Sequence, residues 1–228
     1  MAQQERAIRT RRTILEAAAA VFDERGYEAA TIGEILARAG VTKGALYFHF
    51  PSKQSLAEGL LTEQFSLLHL APRVCKLQEL VDLGLLTAYR MRRDPVVSAA
   101  ARLSLYGEMS AHLGSRVIAE WIGATEKILA EAKERGELLP HIDPAESART
   151  FSAAWTGVQF YSHALAQRSD LEERIVALFA HLLPAVAVPA VLRSLVISTE
   201  RAQEVGAESA RLAQEAAALE EAPAAAAG

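Results

Sequence analysis

The chain of 228 residues carries 24 Lys/Arg and 28 Asp/Glu, for a formal net charge of −4, and 51% of its residues are hydrophobic. That length and apolar content are enough for a well-buried core, in one large domain or two smaller ones. No run of about eighteen uncharged apolar residues occurs, so no membrane span is expected, and the single cysteine, Cys75, excludes an intrachain disulfide.

The start of the chain is more basic than the rest. Residues 1–55 carry a net charge of +2, whereas the remaining 173 residues carry −6. Four arginines lie within the first twelve residues: Arg6, Arg9, Arg11 and Arg12. This polarity permits phosphate binding by the N-terminal part. The same polar start lacks the apolar core of a signal peptide, and a lone cysteine fits a reducing compartment, so a cytoplasmic location is expected.

The first two helices have clear ends. The first is predicted over residues 5–25, where apolar residues recur on one face until Gly26. The second begins after Thr31, because "TIGE" is a capping box in which the Thr31 hydroxyl and the Glu34 carboxylate satisfy amides at the helix end. Gly40 ends this helix after barely two turns.

A third, short helix follows a glycine-containing turn, with Thr42 as its cap. Two short helices joined by a tight turn, behind a longer first helix, are typical of a helix-turn-helix unit. The segment "VTKGALYFHFPSK", residues 41–53, mixes aromatic rings with cations. This mixture suits neither a core nor a solvated face, but it suits a recognition helix in a DNA major groove. The alternative is an ordinary helical hairpin with surface lysines.

The residue types of this third helix match DNA chemistry. Lys43, near the helix start, is able to reach guanine acceptors, and Gly44 lets the backbone approach the bases closely. Leu46 and Phe50, four positions apart, are predicted to face inward. Four further side chains are predicted to bind phosphate oxygens, which sets register without reading sequence: Thr42, Tyr47, His49 and Lys53.

Beyond Pro51 only further helices are predicted, which makes the protein all-α. Their ranges are 52–70, 75–92, 95–109, 115–136, 144–167, 170–187 and 189–198. Residues 145–167 and 171–192 are long and apolar enough to pair with a second copy, so a homodimer is predicted. The alternative is that they only close a monomeric core.

Sparse polar groups on apolar faces mark a candidate small-molecule pocket. Gln64, Trp121 and Thr156 are such groups, although each also suits a satisfied core or surface residue. No face gathers carboxylates or histidines, so neither a metal nor another cofactor is expected. The chain has no G-x-S-x-G, H-E-x-x-H or P-loop motif, which argues against an enzyme. A helical adaptor without DNA binding would leave Lys43, Tyr47 and His49 without a purpose.

The segment "TIGEILARAGVTKGALYFHFPSKQSL" resembles the DNA-binding segment of the TetR family of bacterial regulators, whose pattern is K-G-x-L-Y-x-H-F-x-x-K. The resemblance implies a TetR-like all-α fold, with an N-terminal three-helix helix-turn-helix domain and a helical domain that dimerises and binds a small molecule. It places Lys43, Gly44 and Ala45 at base edges, and Thr31, Thr42, Tyr47, His49 and Lys53 at the DNA backbone. Phe48 replaces a tyrosine that many relatives carry. Arg6, Arg11 and Phe48 complete the predicted DNA-binding residues.

Four further segments resemble the γ-butyrolactone receptors of antibiotic-producing filamentous actinobacteria: "QERAIRTRRTILEAAAAVFDERGYEAATI", "KLQELVDLG", "AKERGELLPHIDP" and "LPAVAVPAVL". In that family a tryptophan covers the hormone, which implies this role for Trp121, with Gln64 and Thr156 as hydrogen-bond partners of its oxygens. The other residues predicted to line the pocket are Leu83, Leu86, Tyr89, Leu105, Val158 and Phe160.

The resemblance implies a repressor of antibiotic and signalling genes that binds a palindromic operator as a homodimer and is released by a γ-butyrolactone or butenolide. The alternative is a pseudo-receptor of the same fold that answers antibiotics or another metabolite. The predicted organisation is a DNA-binding domain over residues 1–51, a ligand-binding and dimerisation domain over 52–200, and an Ala-rich tail over 201–228 that is partly helical or disordered. The expected location is the cytoplasm, in association with the nucleoid.

Overall fold

The structure is a computed structural model that describes residues 2–66, 68–105 and 115–221. In this part of the chain it has eleven helices and no strand, which confirms the predicted all-α fold. The helices are α1 (Ala2–Arg25), α2 (Ile32–Ala39), α3 (Lys43–His49), α4 (Lys53–Ser66), α5 (Lys76–Arg93), α6 (Pro95–Leu105), α7 (Ser115–Glu134), α8 (Pro144–Ala166), α9 (Leu171–Val186), α10 (Pro189–Leu192) and α11 (Thr199–Glu221). None of them has the combination of length and apolarity that crossing a membrane requires.

Two of the predicted helices are too long. The helix expected over 52–70 ends at Ser66, and residues 68–73 are not helical. The helix expected over 189–198 ends at Leu192. Here a side chain competes with the helix, because Gln78 Oε1 accepts the amide of Val196 at 2.8 Å and Gln78 Nε2 donates to the Val196 carbonyl at 3.1 Å. This contact spans 118 positions, so local sequence could not reveal it.

The described residues form two compact units. Of the described residues, the first unit contains 2–66, 93–105, 115–117 and 216–221, and the second contains 68–92 and 118–215. In the first unit α1 packs against α2, α3 and α4, and α6 packs against α1 and α4. Arg102 of α6 donates from Nη1 to the Asp23 carbonyl at 2.7 Å, near the end of α1. The predicted domain boundaries at residues 51 and 200 stay predictions.

Helix α5 is the core of the second unit. Its buried residues lie on all sides of the helix: Lys76, Leu77, Leu80, Val81, Asp82, Gly84, Leu85, Leu86, Thr87, Ala88 and Met91. A helix buried all round needs partners on every face. Phe179 of α9 lies against Gly84, and Tyr89 lies against Gly206 of α11. Both glycines permit close approach, because a Cβ added there would collide with the facing ring.

A buried ion network joins α11 and the segment before α5 to α5. The Asp82 carboxylate is 0% exposed and accepts two hydrogen bonds from Arg201, at 2.6 and 3.0 Å, and one from Arg73 at 2.7 Å. Arg73 also donates through both terminal nitrogens to Glu208. The hydrogen bond from Arg73 lowers the pKa of the Glu208 carboxyl. Since the partners are up to 135 positions apart, the network connects distant parts of the chain.

The N-terminus of α5 is capped from a distance. Glu137, 6% exposed, accepts the amides of Lys76 at 2.9 Å and Leu77 at 2.8 Å. The Cys75 thiol donates to the same carboxylate at 3.4 Å, and burial raises the pKa of that thiol. A carboxylate is stabilised at a helix N-terminus by the free amides and the helix dipole, so Glu137 orients α5 in the unit.

Candidate DNA-binding and ligand-binding sites

Helix α3 has a buried side and an exposed side. Leu46 is 0% exposed, and Phe50, just after the helix, is 4% exposed. These two residues anchor the helix, as predicted from their spacing. The remaining predicted DNA-binding residues of this segment lie elsewhere on its surface: Thr42, Lys43, Gly44, Tyr47 and Phe48 are exposed, and Ala45 and His49 are partly exposed. The helix therefore presents one continuous face to a partner.

Hydroxyl caps define both short helices. Thr31 donates from its amide and its hydroxyl to Glu34 Oε2 at 2.9 and 2.8 Å, and accepts the Glu34 amide at 3.2 Å. The predicted capping box is therefore present, and the hydrogen bonds from Thr31 lower the pKa of Glu34. Gly40 ends α2 with a φ of 64°, in the left-handed region that favours glycine. Thr42 accepts the Ala45 amide at 3.2 Å.

Cations and rings share the exposed face of α3. Lys43 Nζ lies 5.9 Å from the centre of the Tyr47 ring. The centre of the His49 ring lies 5.1 Å from the centre of the Phe48 ring and 6.4 Å from the centre of the Phe50 ring. Phe48 is 81% exposed, so its ring is accessible to a partner. Gly44 has open space where a Cβ would stand, so its backbone is accessible.

Lys53 is engaged inside the first unit. Its ammonium donates to the carbonyl oxygens of Tyr27, Glu28 and Ala30, at 2.7, 3.1 and 3.1 Å, and lies 4.5 Å from the centre of the Tyr27 ring. An ammonium group has three N–H donors, and these bonds use all of them. Lys53 thus fixes the loop between α1 and α2, and its predicted phosphate contact stays a prediction.

The two arginines predicted to bind DNA differ in their surroundings. Arg6 lies exposed on the first turns of α1. Arg11 donates to Glu63 of α4 at 2.7 Å, and its guanidinium lies 5.4 Å from the centre of the Phe50 ring. Arg11 therefore connects α1 with α4, whereas Arg6 is accessible to a polyanion.

Two predicted ligand-binding residues belong to the first unit. Gln64 of α4 is 4% exposed, and its Nε2 donates to the Leu61 carbonyl at 3.0 Å. Part of its hydrogen-bonding capacity is thus used within its own helix. Leu105 is the last residue of α6, and its side chain lies outside the described residues.

The other predicted ligand-binding residues belong to the second unit. Leu86 is buried, Phe160 is 44% exposed, and five are intermediate: Leu83, Tyr89, Trp121, Thr156 and Val158. Tyr89 packs on α11 at Gly206, so its ring has a structural partner. Trp121 lies on α7, and Thr156, Val158 and Phe160 lie on α8.

Sequence reasoning missed three polar residues on α8. Ser152 Oγ, Trp155 Nε1 and Gln159 Oε1 are buried atoms with no hydrogen-bond partner among the described residues. The one signal in the sequence was Trp155, which is one of only two tryptophans in the chain and adjoins the predicted Thr156. In the same described part, no cluster of His, Cys, Asp or Glu is arranged to hold a metal ion.

Comparison with known proteins places these features in a family. The family model "Bacterial regulatory proteins, tetR family" matches residues 14–60. The A-factor receptor protein of Streptomyces griseus is 44% identical over 192 residues, which cover 84% of this chain and 69% of the relative. The crystal structure of full-length native TylP, a TetR regulator from Streptomyces fradiae, is 45% identical with a TM-score of 0.80, over 92% of this chain and 93% of that one. A crystal structure of a γ-butyrolactone receptor (ArpA-like protein) is 28% identical with a TM-score of 0.62, over 92% and 99%.

Proposed function

The chain belongs to the TetR family of bacterial regulatory proteins, and on that basis we propose that it represses antibiotic and signalling genes by binding a palindromic operator, from which a γ-butyrolactone or butenolide hormone releases it. This family is one of transcriptional regulators, which supports a binding protein rather than an enzyme. The location that fits is the cytoplasm, in association with the nucleoid.

The observation that carries the DNA-binding role is the exposed face of α3. Lys43 and Tyr47 lie on it, and the anchors Leu46 and Phe50 hold the helix from behind. A short helix held by its buried side and presented by a tight turn is the geometry by which helix-turn-helix proteins enter the major groove. In this proposal Lys43 meets base edges, and Tyr47, His49 and the Thr42 hydroxyl meet phosphates.

An exposed apolar patch on α8 supports homodimerisation. Phe160, Tyr161 and Leu165 are 44%, 66% and 81% exposed. Large apolar side chains grouped on a surface mark an interaction site, and a palindromic operator requires a partner related by twofold symmetry. Leu165→Glu is therefore expected to give a monomer in analytical ultracentrifugation. Val74→Glu, at an apolar residue 92% exposed outside this patch, should leave the dimer intact.

Release is a population shift between two states of the dimer. A hormone that binds the state with lower DNA affinity more tightly draws the protein into that state. The effect is limited by the difference between its affinities for the two states, so about 100-fold weaker DNA binding needs about 2.7 kcal/mol of coupling. Trp121 covers the hormone in this proposal.

A gel-shift experiment tests the function directly. The probe is a palindromic operator from the upstream region of the gene, titrated with a panel of butyrolactones and butenolides. Lys43→Ala should weaken binding about tenfold or more, whereas Lys127→Ala, at an exposed lysine of α7, should not. Trp121→Ala should bind the operator normally and resist release. DNA binding that no lactone disturbs would identify a pseudo-receptor, and unimpaired binding by Lys43→Ala would contradict the assigned interface.

A further inference from the structure

Three consecutive turns of α8 carry buried polar atoms that have no hydrogen-bond partner among the described residues. Gln159 is 3% exposed as a whole residue, and its Oε1 has no partner among the described residues. Ser152 Oγ and Trp155 Nε1 are also buried atoms without a hydrogen-bond partner among the described residues. Buried polar groups are almost always hydrogen-bonded, because an unsatisfied one loses its water without compensation. Three such atoms on one helix call for an explanation.

The three residues share one face of the helix. At 100° per residue, positions 152, 155 and 159 fall within a sector of about 60°. The rise of about 1.5 Å per residue spaces them over roughly 10 Å along the axis. We call Ser152, Trp155 and Gln159 the α8 polar row. Its length is comparable with that of a small organic molecule rather than a single atom or ion.

Other buried hydroxyls show that a hydroxyl on a helix can find a partner within the protein. Thr87 Oγ1 donates to the Leu83 carbonyl of its own helix at 2.8 Å, and Ser104 Oγ donates to the Ala101 carbonyl at 3.0 Å. Ser162, one turn beyond Gln159 on α8, donates to Asp170 at 2.6 Å. Ser152 makes no hydrogen bond of this kind among the described residues. We therefore attribute its free hydroxyl to the surroundings of the α8 polar row, not to the helix itself.

The surroundings of the row are apolar where the structure defines them. Trp155 Nε1 lies 3.4 Å from the position that a Cβ on Gly84 would occupy, and two carbons of the Phe179 ring lie 2.7 Å from that position. The centre of the Phe151 ring is 6.2 Å from the centre of the Phe179 ring. An apolar setting with a few directional polar atoms is the usual composition of a small-molecule site.

We propose that the α8 polar row supplies the hydrogen bonds that recognise the ligand, and this inference rests on the proposed hormone-receptor function. Trp155 offers only a donor, which suits the carbonyl oxygen of a lactone or an acyl chain. Gln159 Oε1 is an acceptor, which suits a ligand hydroxyl. The Ser152 hydroxyl serves as either. The row has no charge, so the ligand is neutral, since a buried charge would need a charged or strongly hydrogen-bonding partner.

This assignment adds specificity residues to the pocket predicted from the sequence. Trp121 remains the residue that covers the ligand, but the α8 polar row distinguishes a ligand with both an acceptor and a hydroxyl from one that lacks either. A site built to hydrogen-bond a hydroxyl rejects the analogue without it strongly, because its own polar group is then left unpaired.

The first arm of the test uses the protein without ligand. Gln159→Met and Ser152→Ala remove Gln159 Oε1 and Ser152 Oγ, which have no partner among the described residues, so the melting temperature should stay unchanged or rise by a few degrees. Ser162→Ala on the same helix removes a satisfied hydroxyl and should lower it. A clear drop in melting temperature for both Gln159→Met and Ser152→Ala would overturn the proposal, because it would show that these atoms already have partners in the folded protein.

The second arm pairs a ligand change with a residue change. The probes are a 2-hexanoyl-3-hydroxymethyl-γ-butyrolactone and its O-methyl ether, which lacks the hydroxyl donor. Calorimetry on the whole protein should show the ether binding about tenfold more weakly to the unaltered chain. In Gln159→Met the two probes should bind within about twofold of each other. Trp155→Phe, which keeps a ring but loses the N–H, should weaken both probes equally.

The outcomes separate the two proposals. If the lactone binds and releases the operator but Gln159→Met leaves the ratio between the probes unchanged, the α8 polar row is wrong and the repressor function stands. If no lactone binds the unaltered protein, the hormone-receptor function fails and the inference fails with it. Trp155→Phe removes one of the two tryptophans, so a ligand that reaches the row should shift the fluorescence of the unaltered protein more than that of Trp155→Phe. A ligand that binds without this difference would contradict the inference.

Discussion

The proposed DNA-binding face and the interior of the second unit are stabilised by different kinds of contact. Around α2 and α3 the caps join residues three positions apart, such as Thr31 with Glu34 and Thr42 with Ala45. Around α5 the ion network joins Arg73 to Glu208 across 135 positions. The first region keeps its polar side chains at the surface for a partner, whereas the second pairs charges inside the protein. The α8 polar row differs from this network, because its buried atoms have no hydrogen-bond partner among the described residues.

This difference teaches where function can be separated from stability. On α3 an exposed side chain such as Lys43 contributes little to folding, so its substitution should change binding alone. Inside the second unit the charged groups of Arg73, Asp82 and Arg201 have structural partners, so a change there acts first on stability. Buried groups that bind a ligand are then recognisable because their removal does not weaken the fold.

The largest effect is expected at Asp82. Asp82→Asn removes the charge of the buried carboxylate that the partly buried guanidinium groups of Arg73 and Arg201 share, and should lower the free energy of unfolding by about 3–5 kcal/mol. Urea denaturation measures it. Glu204→Gln removes an exposed partner of Arg201 and should cost less than about 1 kcal/mol. Equal losses in the two variants would show that the buried network does not dominate the stability of this unit.

A smaller effect is expected where two helices approach closely. Gly84→Ala places a methyl group 2.7 Å from the Phe179 ring, and overpacking of this kind costs about 1–3 kcal/mol. Gly123→Ala on α7 is the matched control, because nothing lies within 4 Å of its Cβ position. This control should gain up to about 1 kcal/mol from helix propensity. Thermal unfolding compares them, and a neutral Gly84→Ala would show that Phe179 moves aside without cost.

Within the first unit, one lysine with structural partners and one exposed lysine can be compared. Lys53→Gln breaks the ammonium's bonds to three carbonyls and should lower the free energy of unfolding by about 1–2 kcal/mol. Lys43→Gln should change it by less than about 0.5 kcal/mol while weakening operator binding. Denaturation and gel shift on both variants separate the roles. A Lys53→Gln protein of normal stability with weak DNA binding would instead support the phosphate contact predicted from the sequence.

The smallest effect is expected in the dependence of stability on pH in acid. The pKa of Glu208 is lowered from 4.5 by its hydrogen bond from Arg73, so the folded carboxyl holds its proton less tightly than the unfolded one. Its contribution is therefore present above pH 4.5 and is lost as the pH falls below it. Between pH 5 and 3 the stability of Glu208→Gln should fall less steeply than that of the unaltered protein, by about 1 kcal/mol or less. Parallel slopes would contradict the role of this ion pair.

Much of the DNA-binding region was predictable because its determinants are local. The capping box, the left-handed Gly40 and the inward Leu46 each depend on neighbours within four positions. The structure adds contacts that the local pattern could not reveal, and the predicted phosphate contact of Lys53 stays a prediction. Lys53 matches the family pattern, yet its donors are used by carbonyls 23 to 26 positions away.

The chain alone determined the all-α fold, the recognition helix and its family, because helix periodicity, caps and turns are encoded in short segments. Only the tertiary structure decided which polar residues are paired inside. Asp82 and Gln159 both read as polar positions on apolar helices, yet Asp82 is held by two arginines and Gln159 Oε1 by no described residue. That distinction depends on which distant helices face each side chain, and hydrogen bonds act only over about 3 Å.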